Sequence, residues 1–256
     1  MSVVKTVSFI FAAGFSINAM AADFSFDRPG AGIGTGITPV GQLAWEQGLP
    51  SLSYSESRDE TGIKVKNTTL NADMLLRTGL AQDLELQLGW QGPSWSKTKA
   101  AGQSVEEDGL GDVSIGVKKA INLDDEKLSM AILAEAILAT GNHAFSNEDD
   151  IYSLTSAVAY DYSDLIRTSI TMRYETQNSN WAVTAIPNIQ YKITDKLSGF
   201  SELVYRKAES QNYEYALGSG LIYAMNERVQ MDASIGVDLN GRDKSYQSGL
   251  GVAFLF

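Results

Sequence analysis

The feature that most constrains this chain is an alternation of apolar and polar residues with a period of two, which runs from Gly41 to the C-terminus. From Val229 to Leu239, every second residue is apolar, and the residues between them are polar or glycine. The last eleven residues, from Tyr246 to Phe256, largely repeat this pattern. An amphipathic helix would instead show a period of 3.6 residues. The pattern therefore predicts an all-β chain.

Applied along the whole chain, the same alternation predicts twelve strands. They span about 41–56, 65–80, 84–97, 109–121, 128–140, 149–161, 165–175, 180–192, 196–207, 212–223, 228–239 and 245–256. Short, turn-like breaks alternate with breaks that tend to be longer and more polar, and residues 98–108 are predicted to be one of the longer loops. Such a succession is typical of consecutive antiparallel hairpins.

Three observations favour a closed antiparallel transmembrane β-barrel over a soluble β-sandwich. The strands have about ten residues or more, the length that a tilted strand needs to cross a membrane. The polar face carries charges of both signs, and the outward aromatic residues lie at two levels, as in the girdles of outer-membrane barrels. The outer level comprises Tyr152, Tyr174, Trp181, Tyr205, Tyr213, Tyr215 and Tyr246, and the inner level Tyr160, Tyr191, Tyr223, Phe254 and Phe256.

The C-terminal strand ends on an aromatic residue. Phe256 is the last residue, and Phe254 lies on the same face of the strand. A terminal aromatic residue on an alternating strand resembles the signal that outer-membrane assembly machinery reads. We therefore expect Phe256 and Phe254 to form the assembly signal and that machinery to be a partner.

The N-terminal residues predict export rather than a transmembrane helix. Lys5 precedes an apolar stretch over residues 6–18, and Ala19-Met20-Ala21 forms a small-residue cleavage site. Residues 1–21 therefore read as a Sec-type signal peptide. Residues 22–40 are rich in glycine and read as a flexible periplasmic lead-in, and residues 41–256 form the barrel. The glycine spacing does not complete a nucleotide-binding motif.

Composition excludes several functions. The chain has no cysteine, a single histidine and a formal net charge of -11, so cysteine-ligated metals and nucleic-acid binding are not expected. We expect no cofactor, no metal site and no enzymatic activity. The hydrolase alternative rests on His143 and nearby Ser146 in one polar loop. The acidic loop residues could hold Ca²⁺ or bridge to lipopolysaccharide through divalent cations, although a solvated loop explains them more simply.

The polar face of the strands points into the predicted lumen. We expect charged residues on five strands to shape its narrowest part, and catalytic residues to be absent. These lumen-lining candidates are Arg77, Glu85, Glu135, Arg167, Arg173, Glu202 and Arg206. Buried charges without partners are costly, so these residues should either pair across the lumen or contact water.

Four segments resemble a family of Gram-negative outer-membrane barrels named for the meta-pathway of phenol degradation. They are Asp27-Arg28-Pro29, Leu75–Trp90 (LLRTGLAQDLELQLGW), Gly109–Ile121 (GLGDVSIGVKKAI) and Ile137–Asn142 (ILATGN). The resemblance covers nearly all of the chain after the signal peptide, and it implies an outer-membrane barrel with a transport role. It implies no catalytic residues and no particular substrate.

The function expected from the sequence is passive passage of small solutes, aromatic or amphipathic ones included, across the outer membrane. A structural or surface-interaction barrel that does not conduct is the alternative, because twelve strands fall between a filled barrel and a wide pore. An outer-membrane hydrolase is the third and weakest reading. Expected partners are outer-membrane lipid, lipopolysaccharide, the assembly machinery and a small solute, with no nucleic acid.

Overall fold

The structure, a computed structural model, describes residues 24–59, 61–240 and 244–256. The predicted signal peptide lies outside the described residues. No helix within the described ranges is long and apolar enough to cross a membrane.

Sixteen strands are formed within the described ranges, and all their pairings are antiparallel. They are β1 (Leu43–Gly48), β2 (Ser51–Arg58), β3 (Lys64–Asn71), β4 (Met74–Ala81), β5 (Leu84–Trp90), β6 (Pro93–Ala100), β7 (Gln103–Leu110), β8 (Val113–Ile121), β9 (Leu128–Leu138), β10 (Ile151–Ser163), β11 (Ile166–Gln177), β12 (Asn180–Lys192), β13 (Leu197–Ala208), β14 (Tyr213–Asn226), β15 (Val229–Asp238) and β16 (Lys244–Leu255).

These strands form a closed barrel. Strands β8 to β16 pair consecutively, and β16 then pairs with both β1 and β2. The first eight strands join end to end as four long strands, β1–β2, β3–β4, β5–β6 and β7–β8, so the wall has twelve strands in all. Leu43 and Phe256 complete the closure by exchanging backbone hydrogen bonds of 3.2 and 2.8 Å. The predicted twelve-stranded antiparallel barrel is confirmed.

Each of the four long strands is interrupted once, at neighbouring places in the wall. Backbone hydrogen bonds hold adjacent strands together there, from the Ala72 amide to the Pro93 carbonyl (3.1 Å) and from the Gly111 amide to the Gly92 carbonyl (2.8 Å). Gly92 has a φ of 76°, and an added Cβ would lie 1.8 Å from the Ala72 carbonyl oxygen. Only glycine fits this bend.

One predicted loop is wrong. Residues 98–108 are not a loop: β6 continues to Ala100, and β7 begins at Gln103 after a turn at Ala101-Gly102. Most of β7 is exposed, and among the described strands it pairs with β6 alone. Since neither face of β7 packs against a core, its sequence carries no apolar alternation to reveal a strand.

The outer surface of the barrel is strongly apolar. Large apolar side chains such as Leu217, Leu221, Ile235 and Leu250 are between 42% and 68% exposed. Soluble monomers do not expose a continuous apolar band of this extent, whereas a lipid-facing wall requires one.

Residues 24–40 enter the barrel interior, which corrects the expectation of a flexible periplasmic lead-in. Asp27 contacts Lys118, Ala31 contacts Glu202, and Thr38 contacts Glu85. The correction has a simple physical reason: the inward charges of the wall need partners, and this short segment supplies them through charged side chains and backbone amides. We call residues 24–40 the inner segment.

Candidate functional site in the barrel lumen

One side of the inner segment is anchored by a buried charge network centred on Arg77. The Arg77 side chain is fully buried, with Nη1 2.8 Å from Glu46 Oε1 and Nε 2.9 Å from Glu85 Oε1. Its Nη1 also lies 3.7 Å from Asp27 Oδ1 of the inner segment. Charge-assisted contacts of this number and geometry are needed to compensate the desolvation of a buried guanidinium.

Lys118 and the inner-segment backbone complete this network. The Lys118 ammonium, also fully buried, lies 2.9 Å from Asp27 Oδ1. The amide and hydroxyl of Thr38 both donate to Glu85 Oε2 at 2.6 Å. The Arg28 amide donates to Glu46 Oε2 at 2.8 Å. The network therefore fixes both ends of the inner segment to β1, β4, β5 and β8.

The Arg28 side chain extends this anchored side along the wall. Its Nη1 lies 3.0 Å from Asp73 Oδ2, and its Nη2 lies 3.4 Å from Asp232 Oδ1. Arg28 thereby connects one of the strand interruptions to β15, which lies three strands away along the wall.

The opposite side of the inner segment is held much more loosely. Residues 30–35 (GAGIGT) carry no charged side chain. The Ala31 amide donates to Glu202 Oε1 at 3.0 Å, and the Ile33 amide donates to Thr171 Oγ1 at 3.3 Å. An added Cβ at Gly32 would lie 2.8 Å from Thr171 Oγ1, so glycine permits the close approach. This side is held to β11 and β13 by isolated hydrogen bonds.

Two cavities lie against the inner segment. A cavity of about 620 Å³ is lined by Arg173, Val204 and other inward residues towards the strand ends that carry the predicted longer loops. A second cavity, of about 180 Å³, is lined by Arg167 and Gln190 towards the opposite ends. Both cavities share Gly32 and Glu202. The inner segment therefore divides the lumen, and the two spaces are bordered in common by residues of its anchored side, Asp27 and Arg28, and of its loosely held side, Gly32.

The structure places the seven predicted lumen-lining residues in three groups. Arg77, Glu85, Glu202 and Arg167 contact the inner segment, with Arg77 Nη1 3.0 Å from the Ser25 carbonyl oxygen and Arg167 Nη2 3.4 Å from Thr35 Oγ1. Arg173 lines the larger cavity, and its buried Nε has no hydrogen-bond partner among the described residues.

The other two residues lie apart from this site. Arg206 pairs with Glu175 at 2.9 Å and with Glu214 at 3.3 Å. Glu135 has no ion pair within the described part of the chain. That these residues shape a conducting passage remains a prediction.

Sequence reasoning missed Asp27 and Arg28 as site residues, because they lie in a stretch with no strand periodicity. The usable signal was an adjacent acid and base in an otherwise glycine-rich segment, upstream of strands that carry inward charges. The side chains of Asp27 and Arg28 are only 9% and 15% exposed, so each requires a partner on the wall.

The loop with His143 does not form a catalytic pair. His143 is exposed, and the Ser146 hydroxyl donates to Asp112 at 2.7 Å. Asp112 also accepts the amides of Gly141 (2.8 Å) and Asn147 (2.7 Å), so it fixes the loop over residues 139–150. No group of three or more His, Asp or Glu side chains is placed to hold a metal in the described part of the chain.

The proposed assembly residues lie at the barrel seam. Phe254 is opposite Trp45 on β1, with ring centroids 6.1 Å apart, and its ring also stacks on Phe256 at 6.1 Å. Their role in recognition by the assembly machinery remains a prediction.

The comparison with protein families shows the family to which the chain belongs. A family described as "Putative MetA-pathway of phenol degradation" matches residues 26–256, which include the inner segment from Phe26 onward as well as the whole barrel. The chain belongs to this family. No curated protein matches it.

Solved structures share the fold at low sequence identity. An outer membrane channel of the COG4313 group from Pseudomonas putida F1 matches with a TM-score of 0.66 and 13% identity, covering 85% of this chain and 96% of that one. The KdgM porin matches with a TM-score of 0.51 and 14% identity, covering 80% and 98%. The translocator domain of the autotransporter NalP from Neisseria meningitidis gives 0.51 and 7%, covering 84% and 88%. The fold is that of outer-membrane β-barrels.

Proposed function

We propose that this protein is an outer-membrane channel for passive passage of small solutes, with the inner segment as its constriction. The observation that carries the proposal is the pair of cavities, of about 620 and 180 Å³, on the two sides of that segment. A barrel built only as a structural shell has no need of two spaces that converge on one thin partition.

The solute path runs between the loosely held part of the inner segment and the wall formed by β11 and β13. Here Gly32 approaches Thr171, and Glu202 borders both cavities. Passage needs only local displacement of residues 30–35, because few hydrogen bonds hold them and none of these is an ion pair. The anchored side, with Arg77, stays in place.

The solutes are small, aromatic or amphipathic molecules. The smaller cavity limits their size, and its lining combines Phe200 and Ile186 with polar Asn188 and Gln190. This mixture suits a molecule with an apolar body and a polar group. The family description, which refers to phenol degradation, supports this solute class.

Recording of single channels in planar bilayers tests the proposal. We expect the purified protein to give small, discrete conductance steps, and a variant lacking residues 30–35 to give larger ones. Heat-modifiable migration of both proteins is the control for folding. If both fold but neither conducts, and liposomes that contain them show no solute flux, the protein is a structural barrel instead.

A further inference from the structure

A cluster of basic side chains lies on the outside of the barrel, where β2, β3, β6 and β16 extend beyond the strand interruptions. The strand register fixes the direction in which they point, because residues directly opposite each other share a face of the sheet. Tyr246 is exposed on the outer face. In the strand register Tyr246 is opposite Tyr54, Tyr54 is opposite Thr68, and Thr68 is opposite Lys97, so Lys97 also points outward.

The next rows share this outer face. Lys244 is opposite Glu56, Glu56 is opposite Lys66, and Lys66 is opposite Lys99. Arg58 and Lys64 form the row beyond. We call this cluster the basic face; its members are Arg58, Lys64, Lys66, Lys97, Lys99 and Lys244.

The basic face is positive although the chain as a whole carries a formal net charge of -11. At the register positions occupied by these six cations, Glu56 and Glu106 are the acidic residues in the described part of the chain. Glu56 is shared by Lys64 at 2.7 Å and Lys66 at 3.8 Å, while Glu106 pairs with Lys97. Lys99 is exposed and has no ion pair within the described part of the chain. The excess positive charge therefore remains free to bind anions.

The height of the basic face matches that of lipid headgroups. The adjoining row runs through Leu52, Leu70 and Trp95, which continue the apolar outer band, and ends at Ser248 on β16 and at Asp108 on β7. Between that row and the lysines, Tyr54 and Tyr246 stack with ring centroids 6.4 Å apart. Aromatic side chains of this kind mark the boundary between the hydrocarbon layer and the headgroups.

The opposite wall of the barrel has a different outer rim. There the exposed residues are aromatic, such as Tyr152, Tyr174 and Trp181. The cation of that rim, Lys207, lies over the ring of Tyr213, 5.1 Å from its centroid. Positive charge at headgroup height is thus concentrated on one wall.

We propose that the basic face binds the phosphate groups of lipopolysaccharide in the outer leaflet. Lysine ammonium groups on flexible stems are point charges suited to phosphates, and several of them reinforce one another at an anionic surface. The inference rests on the proposed outer-membrane placement of the chain, with the predicted longer loops outside, and not on solute passage.

The experiment compares a triple variant, Lys66→Gln, Lys97→Gln and Lys99→Gln, with the wild-type protein. The matched control replaces three exposed lysines at the other end of the barrel, Lys119, Lys127 and Lys196, by glutamine, so both variants lose the same charge. The probe is purified bisphosphorylated lipid A in nanodiscs of neutral phospholipid. Each lysine near an anionic lipid surface strengthens binding about fivefold, so we expect roughly hundredfold weaker binding in the triple variant. The control should bind like the wild type.

A comparison without any variant tests the same point. Wild-type protein should bind dephosphorylated lipid A far more weakly than the bisphosphorylated form, and added salt should weaken only the latter binding. Equal binding of both forms would overturn the inference, as would wild-type affinity in the triple variant. Conductance in phospholipid bilayers separates the two proposals: lipid A binding without conductance overturns the channel alone, and the reverse result overturns the basic face alone.

Discussion

The two sides of the inner segment meet the barrel wall in opposite ways. On the first side, Asp27 inserts between Arg77 and Lys118, whose side chains are completely buried. On the second side, the uncharged stretch from Gly30 to Thr35 meets the wall through isolated hydrogen bonds. One short peptide is therefore both firmly fixed and locally free.

This difference separates two tasks that a channel constriction must perform. A buried charge network cannot be opened cheaply, because every broken pair leaves an ion without water. A hydrogen bond between uncharged groups contributes about 0.5–1.5 kcal/mol, and one to a charged group such as Glu202 about 1.5–3 kcal/mol, so the second side opens at a lower cost than the ion network. The anchored side positions the partition, and the loose side provides the path.

The largest expected effect comes from breaking the anchored side. Arg77→Met leaves the buried carboxylates of Asp27, Glu46 and Glu85 without their shared cation. Removing one partner from a buried ionic network costs about 3–5 kcal/mol of folding free energy. Urea titration of the protein refolded in lipid vesicles measures this loss.

The matched control is Arg206→Met, an ion-paired arginine whose side chain is 37% exposed. Ion pairs accessible to solvent contribute about 0–1 kcal/mol, so this variant should remain close to the wild type. Equal losses in the two variants would show that the Arg77 network is not the anchor.

A smaller change in stability, but a distinct change in conduction, is expected on the loose side. Glu202→Gln keeps the side-chain shape and the acceptor for the Ala31 amide while removing a negative charge from the place where the two cavities meet. We expect a stability change below about 1 kcal/mol. The reversal potential in a salt gradient should shift towards lower cation preference, since charges that line a narrow pore select ions by sign.

The control for this variant is Glu214→Gln, which removes the same charge from the pair with Arg206, where the side chain is 50% exposed. Its reversal potential should stay near the wild-type value. A larger shift in this control than in Glu202→Gln would place the selective region at the rim instead of at the inner segment.

Much of the wall was predictable, because alternation is a local signal that each strand displays by itself. The seam was also predictable, since an even number of strands ending at Phe256 has to close on the first strand. The hairpin of β6 and β7 was not predictable by this signal, because β7 is exposed on both faces and lacks an apolar side.

The site was only partly predictable for a different reason. Alternation assigns Arg77, Glu85 and Glu202 to the inward face, but it carries no information about their partners. Asp27 and Lys118 are 91 residues apart in the sequence. Their pairing depends on the path of the glycine-rich segment through the lumen, and that path produces no periodic pattern in the sequence.

The most direct test of the central claim uses a reversible crosslink on the loose side. An added Cβ at Gly32 would lie 3.5 Å from Thr171 Cβ, within the range that a disulfide bridges. The chain has no cysteine of its own, so Gly32→Cys with Thr171→Cys gives a single defined pair. The single-cysteine variants are the controls.

The measurement is single-channel conductance of this double variant before and after addition of a reductant on both sides of the bilayer. If the path runs between residues 30–35 and β11, the oxidised protein should conduct less than the reduced protein, and the single-cysteine variants should not respond to the reductant. Equal conductance of the oxidised and reduced double variant, with the disulfide verified by mass spectrometry, would contradict the account.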